Sequence, residues 1–198
     1  MKKKTVALLL SLVLVFGVVA GGTLAWLTQK TDSVVNTFTY GDINIELTET
    51  KPDNKQATII PSVNIEKNPK VTVKAGSEAC WLFVKVEEAN WPAFKNEDGS
   101  KKVSYSVRTG ENEWTLVPGQ TDVYYRVVSA VTEDTDFYIL TGDTQYVNGV
   151  VTVSENLTKA EVNSIAKGTQ PKLTFTAYAC QKDNVADAAT AWAKLTTP

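Results

Sequence analysis

Residues 80–87 read Cys-Trp-Leu-Phe-Val-Lys-Val-Glu, so an extended strand presents Cys80, Leu82, Val84 and Val86 on one face and Trp81, Phe83, Lys85 and Glu87 on the other. A helix turning every 3.6 residues would scatter either set around its circumference. This alternation restricts the fold more than any other feature of the chain. It recurs in Val71 and Val73, in Val103, Tyr105 and Val107, and in Leu173, Phe175, Ala177 and Ala179. Residues 43–47, 123–128, 137–140 and 150–153 are further strand candidates. Turn pairs such as Asp98-Gly99, Pro118-Gly119, Gly142-Asp143 and Asn148-Gly149 separate the runs at the spacing of an all-β sandwich or barrel. Asn148-Gly149, between 145–147 and 150–153, reads as a tight hairpin of the primed type.

About eight or nine strands suffice for two packed sheets. The expected fold is therefore all-β, a two-sheet sandwich over residues 40–183 with one or two short peripheral helices. One helix is expected over 158–166, where Thr158 and Glu161 have the spacing of a capping box. The second falls in the Ala-rich stretch 184–195, giving 184–198 the character of a short C-terminal helical tail. Residues 48–61, polar and holding Pro52 and Pro61, read as a surface loop.

Ahead of the strands stand Lys2, Lys3 and Lys4, then an apolar run over 6–20 broken only by Ser11 and Gly17, then the small residues Ala20, Gly21, Gly22, Thr23 and Ala25. That is the pattern of a signal peptide, residues 1–25, cleaved between Ala25 and Trp26; Gly22 offers a second acceptable site. The alternative is a leader kept as an anchor, since about 20 apolar residues span a bilayer. Either way the remainder is expected to be secreted or held at the cell surface. Three of the 20 basic residues lie in 1–25, so the rest carries 17 basic against 22 acidic side chains, a formal charge of −5. Such a domain has no electrostatic footprint for nucleic acid.

Residues 26–39 contain the strand formers Trp26, Leu27, Val34, Val35 and Phe38, yet no hairpin turn ties them to a neighbour. A strand-capable terminus without a local partner is a candidate for pairing with another molecule. The two cysteines, Cys80 and Cys180, admit a single intramolecular bridge. It would constrain the unfolded chain by about 4.7 kcal/mol. The alternative is two buried free thiols.

The search for catalytic chemistry returns nothing that builds a site. The chain has no His, which excludes His-dependent triads, a HExxH zinc site and an imidazole base. Two distant cysteines make no structural zinc site. Glu87-Glu88, Glu97-Asp98 and Glu133-Asp134-Thr135-Asp136 lack the twelve-residue calcium-loop pattern and read as solvated loop charges. No enzyme activity, cofactor or metal is expected. Trp81, Trp91 and Trp114 read first as core, although exposed Trp91 and Trp114 would suit a monomeric cell-surface module binding polysaccharide or a host ligand.

Gly21-Gly22-Thr23-Leu24-Ala25-Trp26, followed by Asn36-Thr37-Phe38 and Gly41-Asp42-Ile43-Asn44-Ile45, resembles the TasA/CalY (camelysin-like) family of secreted matrix fibre proteins. The runs 68–73 and 80–86 look like that family's first core strands, and 173–179 like its last. The resemblance implies a jelly-roll-like sandwich released by a SipW-type signal peptidase. It further implies a structural subunit of extracellular, biofilm-matrix-type fibres, assembling head-to-tail by donor-strand exchange. In that case Trp26, Leu27, Val34, Val35 and Phe38 are the inserting side chains, and the first partner is another copy of the chain. Other matrix proteins and polysaccharide are further partners under the same reading.

Overall fold

The computed structural model describes residues 42–49, 58–165 and 170–196. The expected leader 1–25 and the segment 26–39 lie outside the described residues. Among the described residues ten strands form three antiparallel sheets, an all-β sandwich. Its first sheet has the order β1-β3-β8, from Ile45–Glu49, Pro69–Val73 and Thr135–Tyr138. The second has the order β10-β4-β7-β6, from Lys172–Gln181, Cys80–Ala89, Val123–Val128 and Thr115–Leu116. A small third sheet, which the sequence did not announce, joins β2 (Ile65–Glu66), β9 (Val150–Val153) and β5 (Val103–Ser104).

The period-two pattern explains how the two larger sheets meet. Val71 and Val73 of β3 face Leu82, Val84 and Val86 of β4 in one core, joined by Trp114, Ile139 and Leu140. Each such aliphatic side chain contributes about 1.5–3 kcal/mol when fully buried. The opposite face of β4 is also covered, because α2 (Ala188–Thr196) lies over it. Phe83 and Tyr178 meet Trp192 with ring centroids 5.5 and 5.1 Å apart. Ala188, Ala191, Trp192 and Leu195 share one helix face by their spacing, and Asp187 Oδ1 accepts the Thr190 N–H at 2.8 Å to cap the first turn. The second expected helix is thus present, and it docks on the outer face of the sheet.

Under the third sheet a separate core holds Trp91, Phe94, Val103, Val151, Val153 and Leu157. The indole of Trp91 donates to Val103 O at 3.0 Å. Its helix, α1 (Lys159–Asn163), begins at the expected capping box: the Glu161 N–H donates to Thr158 Oγ1 at 3.2 Å, and the Thr158 N–H donates to Glu161 Oε2 at 2.8 Å. Lys102 also donates to Glu161, tying α1 to the strand beside it.

Two expectations need correction. Residues 145–147 form no strand opposite 150–153; β9 pairs with β2 and β5 instead. The Asp143 carboxylate takes the N–H groups of Gln145 and Tyr146, at 2.8 and 2.6 Å, and that side-chain turn displaces the ladder. Gly149 still matters, since a Cβ there would stand 2.0 Å from Lys67 O. Secondly, Thr48 and Glu49 belong to β1 rather than to a surface loop.

The cysteines, for which the sequence leaves a bridge and free thiols both open, are free. In the β4–β10 register Cys180 lies opposite Trp81 and Cys80 opposite Gln181, so the two thiols point to opposite faces of one sheet. Cys80 faces the inter-sheet core and Cys180 the side covered by α2. Burial pushes the Cys80 thiol up to about 11 and raises Cys180 as well, which suppresses thiolate chemistry at neutral pH.

Two measurements check this packing. Trp192→Ala is expected to lower unfolding free energy by about 3–5 kcal/mol in urea titration; a loss below about 1 kcal/mol would mean α2 is a loose tail. The Lys102 ammonium and the Thr158 N–H hold the Glu161 carboxyl down at about 2, from an ordinary value of 4.5. A depressed carboxylate stabilises the fold above its unfolded value and loses that contribution as pH falls through the folded one. The gap in thermal midpoint between wild type and Glu161→Gln should therefore be widest near neutrality and close between about pH 5 and pH 2. A pH-independent gap would remove the carboxylate from α1 stability.

Candidate functional site: an open flank of the sandwich

Among the described residues sheet order leaves β1 and β10 as edge strands that touch each other on one flank of the sandwich. There the core is unfinished. Leu47 shares a strand face with the core-packed Ile43 and Ile45 and lies opposite Val71, yet it is 36% exposed where Val71 is 0%. Leu173, Phe175, Ala177 and Ala179 of β10 face the same core and are only half-buried, while their neighbours Leu82 and Val84 on β4 are fully buried. Between the edges runs a cleft of about 390 Å³. Leu47, Pro69, Leu173 and Phe175 are its apolar lining, and Thr48, Glu49 and Lys67 its polar part, referred to below as the polar end.

The opposite flank is sealed. Trp114, fully buried, donates its indole N–H to Tyr138 O at 2.8 Å. The Arg126 guanidinium of β7 lies 4.1 Å from the Phe137 ring centroid and 5.6 Å from that of Trp114, bridging from one sheet to the other. Asp136 and Asp134, read from sequence as loop charges, bond the neighbouring strand: Asp136 takes Thr72 and Lys70, and Asp134 takes Lys74.

The two edges of the open flank differ in character. An exposed strand edge offers unpaired N–H and C=O groups, and proteins commonly blunt it with charge, proline or short length. Strand β1 carries Glu46 and Glu49. Strand β10 runs for 10 residues, and between Leu173 and Cys180 it has neither charge nor proline. By that physical criterion β10 is the most receptive edge among the described residues.

At the polar end, Lys67 Nζ lies 3.0 Å from Glu49 Oε2, with the side chains 17% and 10% exposed. Glu49 Oε1 also accepts the Asn68 N–H at 2.9 Å. Thr48 Oγ1 and Asn68 Oδ1 are buried with no hydrogen-bond partner. Orphaned polar atoms of this kind cost about 1–3 kcal/mol each until a partner arrives.

Of the residues singled out from sequence, Ala25, Trp26, Leu27, Val34, Val35 and Phe38 lie outside the described residues. Trp91 and Trp114 are 5% and 0% exposed, so neither ring is available to stack on a sugar. Sequence reasoning missed Leu47, Glu49 and Lys67 as site residues. Alternation tells which face of a strand is buried, but carries no signal for whether a strand has one neighbour or two. Among the described residues no group of three or more His, Cys, Asp or Glu is placed to hold a metal ion, and no helix is long and apolar enough to cross a membrane. Comparison with protein-family models, with curated proteins and with solved structures finds no match to this chain.

Proposed function

We propose that the chain is a secreted structural subunit that polymerises head-to-tail, the segment 26–39 of one copy completing the open flank of the next. What carries this reading is the unfinished core between β1 and β10, where Leu47, Leu173 and Phe175 wait half-covered beside an uncharged edge. An added strand would supply main-chain hydrogen bonds to β10 and apolar side chains to the cleft. The chain itself has a segment of that kind upstream of β1, in Val34, Val35 and Phe38. The leader pattern and the resemblance to matrix fibre proteins support the same reading, with a SipW-type signal peptidase exposing Trp26 as the new terminus.

Magnitudes explain why the whole segment would be needed. Two or three apolar anchors contribute about 1.5–3 kcal/mol each. Association costs about 4–15 kcal/mol in lost freedom and ordering. Anchors and backbone ladder must therefore act together. Because donor and acceptor surfaces are different patches, the contact does not close on itself and propagates as a filament.

Electron microscopy of the chain starting at Trp26, concentrated and incubated, should show filaments. The same chain lacking 26–39 should keep its circular dichroism spectrum and remain monomeric. Filaments from the shortened protein would rule out strand exchange through this segment.

A further inference from the structure

Resting on the assembly just described, we propose that the Glu49–Lys67 pair reads the register of the incoming strand by receiving the carboxamide of Asn36. Period two places Val34, Asn36 and Phe38 on one face of an extended segment and Val35 and Thr37 on the other. The face with the largest side chain is thus apolar, polar, apolar. The lining of the cleft is mixed in the same way, with the apolar Leu47, Pro69, Leu173 and Phe175 beside the Glu49–Lys67 pair.

The ion pair is nearly buried but incompletely used. One carboxylate oxygen takes Lys67 and the other the Asn68 N–H, which leaves a further lone pair on each oxygen. Among the described residues Lys67 donates to Glu49 alone, with two further N–H groups on its ammonium. An amide side chain suits both vacancies at once: its N–H₂ donates to Glu49 and its C=O accepts from Lys67. No apolar or singly charged residue does the same.

Seating Asn36 there keeps Val34 and Phe38, one on each side of it, on the face turned to the cleft and turns Val35 outward, so that of the sequence-named anchors in 34–38 only Val34 and Phe38 enter. A slip of one residue would bring Val35 or Thr37 to the ion pair and leave Phe38 in water. The occupant is the 34–38 segment of a second copy of this chain. Asn36 would act as a specificity residue, rejecting other strand-forming segments that present a purely apolar face.

A specificity swap tests the assignment. Four chains starting at Trp26 are compared for the concentration at which filaments appear: wild type, Asn36→Leu, Glu49→Leu with Lys67→Met, and all three substitutions together. Replacing a buried ion pair by apolar residues of similar size is often neutral for folding, and circular dichroism of each chain checks this. The matched pairs, wild type and triple variant, should assemble at similar concentrations. Each mismatched chain should need about ten-fold more protein, because a buried polar group is left unpaired. Equal assembly of all four would overturn the assignment while leaving strand exchange intact. Filaments from the chain lacking 26–39 would instead remove the assembly reading on which it rests.

Discussion

Strand β4 has a partner on both sides and a covering layer on both faces, and the rest of the molecule is arranged around that fact. It pairs with β10 along all 10 of its residues and with β7 along six. Leu82, Val84 and Val86 supply the inter-sheet core, and Phe83 anchors α2. A strand satisfied in every direction is a fixed reference. Its neighbour β10 has one strand partner among the described residues, and its other side is where the described sandwich stops short.

The two flanks are built to different ends. On one, Arg126, Trp114 and Tyr138 join the sheets through ring contacts and an indole hydrogen bond. On the other, no such clamp exists among the described residues, and the wall of the cleft is made of core side chains that lack their last neighbours. An uncharged edge strand of this length is ordinarily a hazard. The proposed assembly turns the hazard into a site, with the polar end at Glu49 and Lys67 restricting what enters.

Much of the scaffold was legible before any coordinates. Strands β7 and β9 fall where alternation places them, and Thr158 with Glu161 marks the start of α1. Strands β2 and β6 were invisible because two residues cannot show a period. The hairpin at Asn148-Gly149 failed because the Asp143 side chain competed for the N–H groups a ladder would have used. The docking of α2 was readable in principle: aromatic residues on the second face of β4 announce a covering element. The cleft was not readable, since whether Leu173 and Phe175 are finished or half-covered depends on sheet order, a long-range property that alternation does not encode.

The open flank's role is tested most directly by hydrogen–deuterium exchange at residues 172–181, comparing the chain starting at Trp26 under assembling conditions with the chain lacking 26–39. If the flank receives a strand, the β10 amides that point away from β4 gain protection in the first sample and remain exchangeable in the second, while those bonded to β4 are protected in both. Unchanged exchange at 172–181 in filaments, with new protection along β6 or β8 instead, would place the contact on the sealed flank and contradict the proposed site.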